Sequence, residues 1–470
     1  MSILRTIKGW LSAIFKSKAN EIYKAASIAS ETMDGFVKRC VAIYLGKPEW
    51  IDAEQEIKTI NFAQTLCKET ARLTTLAISI TIAGSARADY IQKQIDKIYF
   101  SLRSWVEYGL AYGMIALKPD GDQIELFTHE RFYITEADGD NARGALFFYS
   151  KTVGNDYYTR MEYHRFVGED YLIDNKCFKG KAMNDTTTPV SIENTPWAGL
   201  LESAKITGLE KPLFAIFKTP GANRIDINSP VGMPLINEVL EELKDLDVAY
   251  SRKTEEVYDS RKTVLMDSKK MLPPTQELRA ILNSDRAAVY EAMKKRMKLP
   301  KYVRIVDGDN KDGFYQEINP QIRAEERQKD INAILSQIGF KVGYSNGYFV
   351  FDAKTGMITA TQVESDDRRT IQLIKDIRDQ LEKCIDGLVY AINGLCDLYE
   401  IAPGGKYEIT YGFGDITYNV DEDRARWWSY VTAGKVPAWV FFVKFEGMSE
   451  EEAKAMVEEA DVKEPALFDE

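Results

Sequence analysis

The strongest constraint in this sequence is an apolar stripe that begins near Thr359. Ile371, Ile374, Ile377, Leu381, Ile385, Leu388, Ile392 and Leu395 recur at intervals of three and four. That spacing holds one face of an α-helix apolar. No proline interrupts the run before about Tyr399, and Pro403-Gly404-Gly405 closes it. At 1.5 Å per residue such a helix is on the order of 60 Å long, about twice the diameter of a small domain.

Two more helices precede it, separated by an insert. Pro230 to Pro234 introduces the first, whose stripe is Leu235, Val239, Leu243, Leu246 and Tyr250 and whose pattern extends to Val257. Its length is roughly 35 Å. Its other face carries Glu238, Glu241, Glu242 and Asp245. Like charges three and four apart oppose an isolated helix, so solvent, a basic neighbour or an aqueous channel must answer them. Asn319-Pro320 opens the second, Gln321 to Ile338. Its first half (Arg323, Glu325, Glu326, Arg327, Gln328, Lys329, Asp330) has almost no apolar face, and only Ile331, Ile334, Leu335 and Ile338 restore one. Such a helix bridges solvent or packs polar-to-polar against a partner. Between the two lie strands at Thr263–Met266, Tyr302–Val306 and Phe314–Ile318, a break at Pro273-Pro274, and helical character from Gln276 to Leu299. A loop rich in Gly, Ser, Asn and Tyr, Phe340 to Met357, leads into the longest helix.

The first half mixes α and β. Helices are expected between Ser27 and Ala77, with a break at Gly46-Lys47-Pro48, and from Tyr90 to Tyr112. Strands follow at Met114–Lys118 and Ile124–Phe127 around the turn Pro119-Asp120-Gly121-Asp122. Ala145–Lys151, Tyr157–Phe166 and Tyr171–Ile173 continue as a meander. Asn184–Thr195 reads as a loop, and Leu213–Lys218 as a strand. After a strand at Tyr407–Phe413, three short helices close the chain. Asp421 caps the first, Gly434 ends it, Pro437 opens the second, and Ser449 with Glu452 forms a capping box on the third. At 470 residues the chain exceeds one ordinary domain. At the N-terminus Ile3, Ile7, Leu11 and Ile14 alternate with Arg5, Lys8 and Lys16. They read as a basic amphipathic helix, docking on the chain or lying at a membrane surface, and not as a signal peptide.

Composition narrows the chemistry. The net charge is −11, so a protein that grips DNA by neutralising phosphates is a poor fit. An ordinary acidic protein fits, as does one that touches DNA without holding it. Five cysteines, none in a C-x-x-C pair, read as reduced, mostly buried thiols. His129 and His164, the only histidines, have no metal-ligand spacing. No phosphate-binding loop, dinucleotide fingerprint or nucleophile elbow is present. Residues 307–313 fail the spacing of a calcium loop and read as a turn. No enzyme activity, cofactor or metal is expected. The basic run Lys294, Lys295, Arg296, Lys298 and Lys301 is the clearest local charge feature, either a solvated helix face or a contact for nucleic acid or an acidic partner.

Four phrases, in this order, resemble the portal proteins of tailed phages of the siphophage type that infect Gram-positive bacteria. They are Ile43 to Trp50, Ala111 to Ala116, Asn223-Arg224-Ile225-Asp226 leading to Ser229-Pro230-Val231-Gly232, and Thr359 to Ser365. The usual Leu-Gly of the third phrase is Val231-Gly232 here, and the usual Glu of the fourth is Gln362.

The resemblance implies an α+β portal fold. Residues 1–228 would form N-terminal helices and a mixed wing, 229–260 a first stem helix and 261–318 the clip. Residues 319–339 would form a second stem helix, 340–358 a tunnel loop, 359–400 a long wing helix and 401–470 a wing strand with a helical crown. It implies a homo-oligomeric ring of about a dozen copies with closed symmetry. The ring would sit at the capsid vertex of the virion after assembly in the host cytoplasm. Its partners would be double-stranded DNA, the terminase large subunit, a head-completion adaptor, scaffold and the major capsid protein. Within that frame Lys341, Asn346, Tyr348 and Lys354 would touch DNA in the channel. The basic run at Lys295 would meet terminase or DNA at the clip. Glu238, Glu241, Glu242 and Asp245 would meet Arg323, Arg327 and Lys329 of a neighbouring subunit. The alternatives are another oligomeric virion or scaffold-associated protein without a DNA channel, or a hydrolase whose site is assembled only in space.

Overall fold

A computed structural model describes residues 18–51, 57–182, 185–227, 229–259, 263–266, 302–305, 315–318, 321, 323–350, 360–414, 427–446 and 448–462. The chain is mixed α and β, as its sequence leads one to expect. It divides into two compact units. One holds the residues up to Thr74 together with Ile82–Ile409. The other holds Thr75–Thr81 and the residues from Thr410 onward.

The first unit opens with a helical turn at 18–23 and then α1 (Glu31–Tyr44), α2 (Phe62–Thr74), α3 (Ala86–Ile98) and α4 (Leu102–Tyr112). Ser30 caps α1 by accepting from the Met33 N–H, and Ser85 caps α3 in the same way through Ala88. The helix expected at Tyr90–Tyr112 is α3 and α4 with one 3-10 turn, Tyr99–Ser101, between them. Buried Ile91, Ile95, Ile98, Leu102, Val106 and Leu110 keep three-and-four spacing across that turn, so the sequence reads as one helix.

Fourteen strands form four sheets among the described residues. β1 (Ser79–Ala83) pairs with β14 (Glu408–Gly412). β2 (Met114–Asp120) and β3 (Gln123–Phe127) make the expected hairpin, and β10 (Ala215–Lys218) adds to it antiparallel. The largest sheet is a meander of β4 (Phe132–Asp138), β5 (Asn141–Val153), β6 (Asp156–Val167), β7 (Asp170–Gly180) and β8 (Thr188–Val190), with β9 (Ser203–Thr207) also on β7. β8 occupies part of the stretch read as a loop, and β1, β4 and β9 fall outside the strands expected, although Ile78-Ser79-Ile80-Thr81-Ile82 alternates with a period of two and β4 opens on Phe132-Tyr133-Ile134-Thr135. Along β5, residues Gly144 to Tyr149 are all buried. Both faces of this sheet are covered, so alternation is lost there. Phe132, Phe147, Tyr149 and Trp197 pack with Met33, Val37 and Phe214 on one side. Tyr133, Leu146, Phe148, Met161 and Tyr163 pack with Ala19 and Ala25 on the other.

After the large sheet the chain forms α5 (Leu240–Asp259), three short strands β11 (Thr263–Met266), β12 (Tyr302–Ile305) and β13 (Tyr315–Ile318), α6 (Ala324–Val342) and α7 (Ala360–Leu398). α7 is 39 residues long. It buries Ile374, Ile377, Leu381, Ile385, Leu388 and Ile392, the stripe read from the sequence. Two buried arginines hold it. Arg378 donates to the Leu73 and Thr74 carbonyls at the end of α2, each at 3.1 Å, where the helix dipole favours a cation. Arg87 pairs with Asp397 at 2.7 Å and donates to the carbonyls of Ala402 and Pro403.

In the second unit, residues 427–432 are helical and Gly434 follows with φ 67°. α8 (Ala438–Glu446) and α9 (Glu450–Val462) complete it. The expected capping box is present: Glu452 N–H donates to Ser449 Oγ at 3.3 Å and Ser449 N–H to Glu452 Oε2 at 3.1 Å. Trp427, Trp428, Phe441 and Phe445 form its aromatic core, with Lys444 over the Trp427 ring at 4.0 Å.

Candidate functional site

The stretch that carries the functional expectations is α5, the three short strands, α6 and the turn after it. Pro234 and Val239 set α5 back: Leu235–Glu238 is a 3-10 turn, and the α-helix proper starts at Leu240. α5 and α6 pack together through Leu243, Leu246 and Ala249 against Ile331, Leu335 and Ile338, all buried. Their ion pairs show that they run antiparallel. Glu242, near the start of α5, takes Lys341 near the end of α6. Glu256, near the end of α5, takes Arg323 at 3.0 Å and Arg327 at 2.7 Å at the start of α6. These two guanidinium groups, Arg327 foremost, hold the Glu256 carboxyl down at about 2.

Charged residues singled out in the sequence find these partners within the chain. Arg323 and Arg327 are engaged by Glu256 of their own chain. The acidic stripe is also answered largely within the chain: Glu241 lies 3.7 Å from Arg39, Glu238 lies 3.5 Å from Arg224, and Glu242 holds Lys341. Asp245 and Lys329 are exposed and form no ion pair among the described residues. The antiparallel packing brings Glu242 and Glu256 of α5 against Lys341, Arg327 and Arg323 of α6.

The three short strands form one sheet between the helices in sequence. β11 runs parallel to β12, with Val264 opposite Val303, and antiparallel to β13, with Val264 opposite Glu317. Lys294, Lys295, Arg296, Lys298 and Lys301 lie outside the described residues, as does the helical stretch expected around them.

The Gly/Tyr loop begins later than the sequence suggests. α6 continues through Phe340, Lys341 and Val342 and stops at Gly343, whose φ is 108° and whose N–H bonds the Gly339 carbonyl. Lys341 is therefore a helical residue paired with Glu242, not a loop residue. Its place in the last turn suits the helix dipole. The next residues fasten down on the body. Tyr344 is fully buried, and its hydroxyl meets Thr70 Oγ1 at 2.6 Å. Ser345 N–H donates to Thr370 Oγ1 at 2.9 Å. Tyr344, Tyr348 and Phe349 pack ring on ring, and Phe349 meets Phe62 edge-on. Tyr348 donates its O–H to Glu69 at 2.6 Å. Burial, followed by Glu69, raises its pKa. Asn346 is exposed, and Lys354 lies outside the described residues.

The phrases that carry the resemblance are structural junctions. Trp50 donates to Asp247 Oδ2 at 2.9 Å, which ties the first phrase to α5. The second and third phrases meet back to back. Gly113 has φ 83°, and a Cβ there would lie 2.4 Å from the Gly232 carbonyl oxygen; a Cβ on Gly232 would lie 2.1 Å from that of Gly113. Asn223 Oδ1 accepts from the Ile225 and Asp226 amides, its amide donates to the Val231 carbonyl, and Asp226 accepts from Ser30 N–H. Trp50 and Asp247, Gly113 and Gly232, and Ser30 and Asp226 lie far apart in sequence, and single-chain spacing could not reveal them. Glu256, Asp247, Arg87 and Arg378 were missed for the same reason.

The chain matches no known family model and no curated protein.

Proposed function

We propose that this chain is the subunit of a tailed-phage portal, a ring at the capsid vertex through which double-stranded DNA is packaged and ejected. One arrangement carries the reading. Two antiparallel helices, α5 and α6, bracket a small three-stranded sheet in sequence, and a pinned Gly/Tyr turn and the 39-residue α7 follow in that order. In this reading the helix pair is the stem, the small sheet belongs to the clip, and the segment after Gly343 leads into the tunnel loop. α7 is the long wing helix, the meander with its flanking helices is the wing, and the last helices are the crown. The four sequence phrases support it independently of the helix arrangement.

The charge fits a conduit. The chain carries a net charge of −11, and three of its stem cations, Arg323, Arg327 and Lys341, are paired with Glu256 and Glu242, so phosphate is held weakly and DNA slides. With Lys341 engaged, Asn346 is the exposed described residue in the turn best suited to a transient phosphate contact. ATP-driven translocation would belong to a separate terminase docking at the clip, and scaffold, capsid and head-completion proteins would meet the ring elsewhere.

Native mass spectrometry with negative-stain imaging tests the proposal. Closed rings of about a dozen 53.4 kDa copies with an axial hole are expected. A chain that stays monomeric at high concentration and with capsid partners present would overturn it. It would favour an oligomeric virion or scaffold component without a channel only if another closed or open assembly formed instead.

A further inference from the structure

Within the first unit, a cavity of about 570 Å³ lies over one face of the large sheet. Its floor breaks the rule that buried strand faces are apolar. The two-residue period of β6 puts Arg160, Glu162 and His164 side by side on that face, and each is at least nine-tenths buried. β7 adds Asn175, directly opposite Glu162, and β2 adds Lys118 from the other wall.

The hydrogen bonds fix the protonation of this cluster. Leu213 N–H donates to the Tyr171 hydroxyl oxygen at 3.0 Å. The Tyr171 proton is therefore free to go to His164 Nδ1, 2.7 Å away. His164 then carries its proton on Nε2 and donates it to Glu162 at 2.6 Å. Burial holds the His164 pKa below its ordinary value, consistent with a neutral ring. Burial pushes the Glu162 carboxyl up, but Lys118 at 2.8 Å, His164 and Arg160 outweigh it and keep the carboxylate ionised. Lys118 and Glu162 cancel, which leaves Arg160 with only the partly exposed Asp120, 4.0 Å away at the mouth, to answer its charge.

Arg160 keeps unused donors. Its guanidinium lies over the Tyr149 ring at 3.9 Å, and Nη2 is 3.1 Å from Glu162, but neither Nε nor Nη2 makes a hydrogen bond. Asp122, at the same mouth as Asp120, is paired with Lys97 at 2.6 Å. Asn175 Oδ1 is also buried without a partner. Unmade hydrogen bonds from a buried cation are costly and rare. Leu213, Ile392, Leu395 and Ile401 give the cavity an apolar wall, and Gln94 and Gln123 add polar groups elsewhere in its lining.

We propose that this cavity binds a small apolar carboxylic acid as its carboxylate. The carboxylate accepts from Arg160 Nε and Nη2, and the hydrocarbon body lies on the leucine and isoleucine wall. A hydroxyl or amide N–H on the acid would satisfy Asn175 Oδ1. The volume falls in the range of small-molecule sites, roughly 300–1,000 Å³. A phosphate fits less well, because a dianion would exceed the single charge of Arg160 and face Glu162. The inference does not depend on the portal reading.

Isothermal titration of the full chain with hexanoate, hexanol and hexylamine tests it. Hexanoate should bind one per chain, about tenfold or more tighter than hexanol, and hexylamine should not bind. Leu395→Trp should fill the cavity and abolish binding. Arg160→Met should remove the preference for hexanoate over hexanol while hexanol still binds, a selectivity change that a merely structural role would not produce. Circular dichroism would confirm that both variants fold; if Arg160→Met does not, Arg160→Lys should weaken hexanoate about tenfold. Equal binding of hexanoate and hexanol, hexanoate binding that survives Leu395→Trp, or no hexanoate binding at millimolar concentration would each overturn the proposal.

Discussion

The buried bond between Tyr344 and Thr70 makes an asymmetric prediction. Thr70 Oγ1 already donates its only proton to the Leu66 carbonyl at 2.8 Å. At the 2.6 Å contact, Tyr344 must therefore be the donor and Thr70 the acceptor. Tyr344→Phe removes the donor and leaves an acceptor that keeps its other bond, which costs about 1 kcal/mol. Thr70→Val removes the acceptor and leaves a fully buried O–H with nothing to donate to, which costs about 2–3 kcal/mol. The double variant removes both polar groups and should cost less than Thr70→Val alone. A chain of two units does not unfold in one step, so the readout should be local. Amide hydrogen exchange over residues 343–350 reports opening of this turn directly. Tyr344→Phe should speed exchange there about fivefold and Thr70→Val about thirtyfold or more, with the double variant between wild type and Thr70→Val. A Thr70→Val effect smaller than that of Tyr344→Phe would refute the donor assignment.

Four further outcomes follow, three from other contacts and turns and one from the proposed function. The Glu256 carboxyl is depressed to about 2, so its contribution to the α5–α6 contact is complete above its ordinary range near pH 4.5 and is lost as the pH falls toward 2. Acid titration followed by exchange at the start of α6 should show a step in that window that Glu256→Gln lacks and that 1 M salt flattens. Gly113→Ala, forced into φ 83° and against the Gly232 carbonyl, should cost more than about 3 kcal/mol and fail to accumulate as folded protein. Gly121→Ala, at φ 61° with open space around it, should cost only about 1 kcal/mol and still accumulate as folded protein. Neutralising Lys294, Lys295 and Arg296 should weaken terminase or DNA engagement in a packaging assay; unchanged packaging would remove that role.

The sequence was most legible where one local rule acted without competition. The α7 stripe held because its three-and-four spacing runs unbroken from Ile371 to Leu395. The β2–β3 turn and the Ser449–Glu452 box held because their chemistry spans only a few residues. Legibility failed where distant partners decide. β9, Ser203-Ala204-Lys205-Ile206-Thr207, is a strand because β7 lies beside it more than because of its own composition. The end of α6 was misplaced because Phe340 and Lys341 begin a glycine- and tyrosine-rich stretch, although the first residue with a positive φ is Gly343. Arg160, Glu162 and His164 alternate with Met161 and Tyr163 as a half-solvated strand would. Only the covering of both sheet faces makes them a buried charged row.

The helix pair also bears on how the proposed ring would hold together. If the acids of α5 needed a neighbour's arginines, an isolated subunit would carry an unanswered acidic stripe and fold poorly outside the assembly. Instead Glu256 and Glu242 are neutralised by α6 of the same chain, which leaves Asp245 of the stripe without an ion pair among the described residues. Surface ion pairs contribute little each, but leaving like charges unpaired along one helix costs stability. The proposed ring can then draw its adhesion from apolar surface elsewhere. Phe100 is 91% exposed, on the 3-10 turn between α3 and α4, and Ile227 is 77% exposed beside the Asn223–Asp226 knot. Neither is needed by the fold of its own subunit, and large apolar side chains so exposed are the kind a partner surface covers. Ring formation by this chain should therefore resist salt, which screens ion pairs, and weaken when Phe100 and Ile227 are made polar.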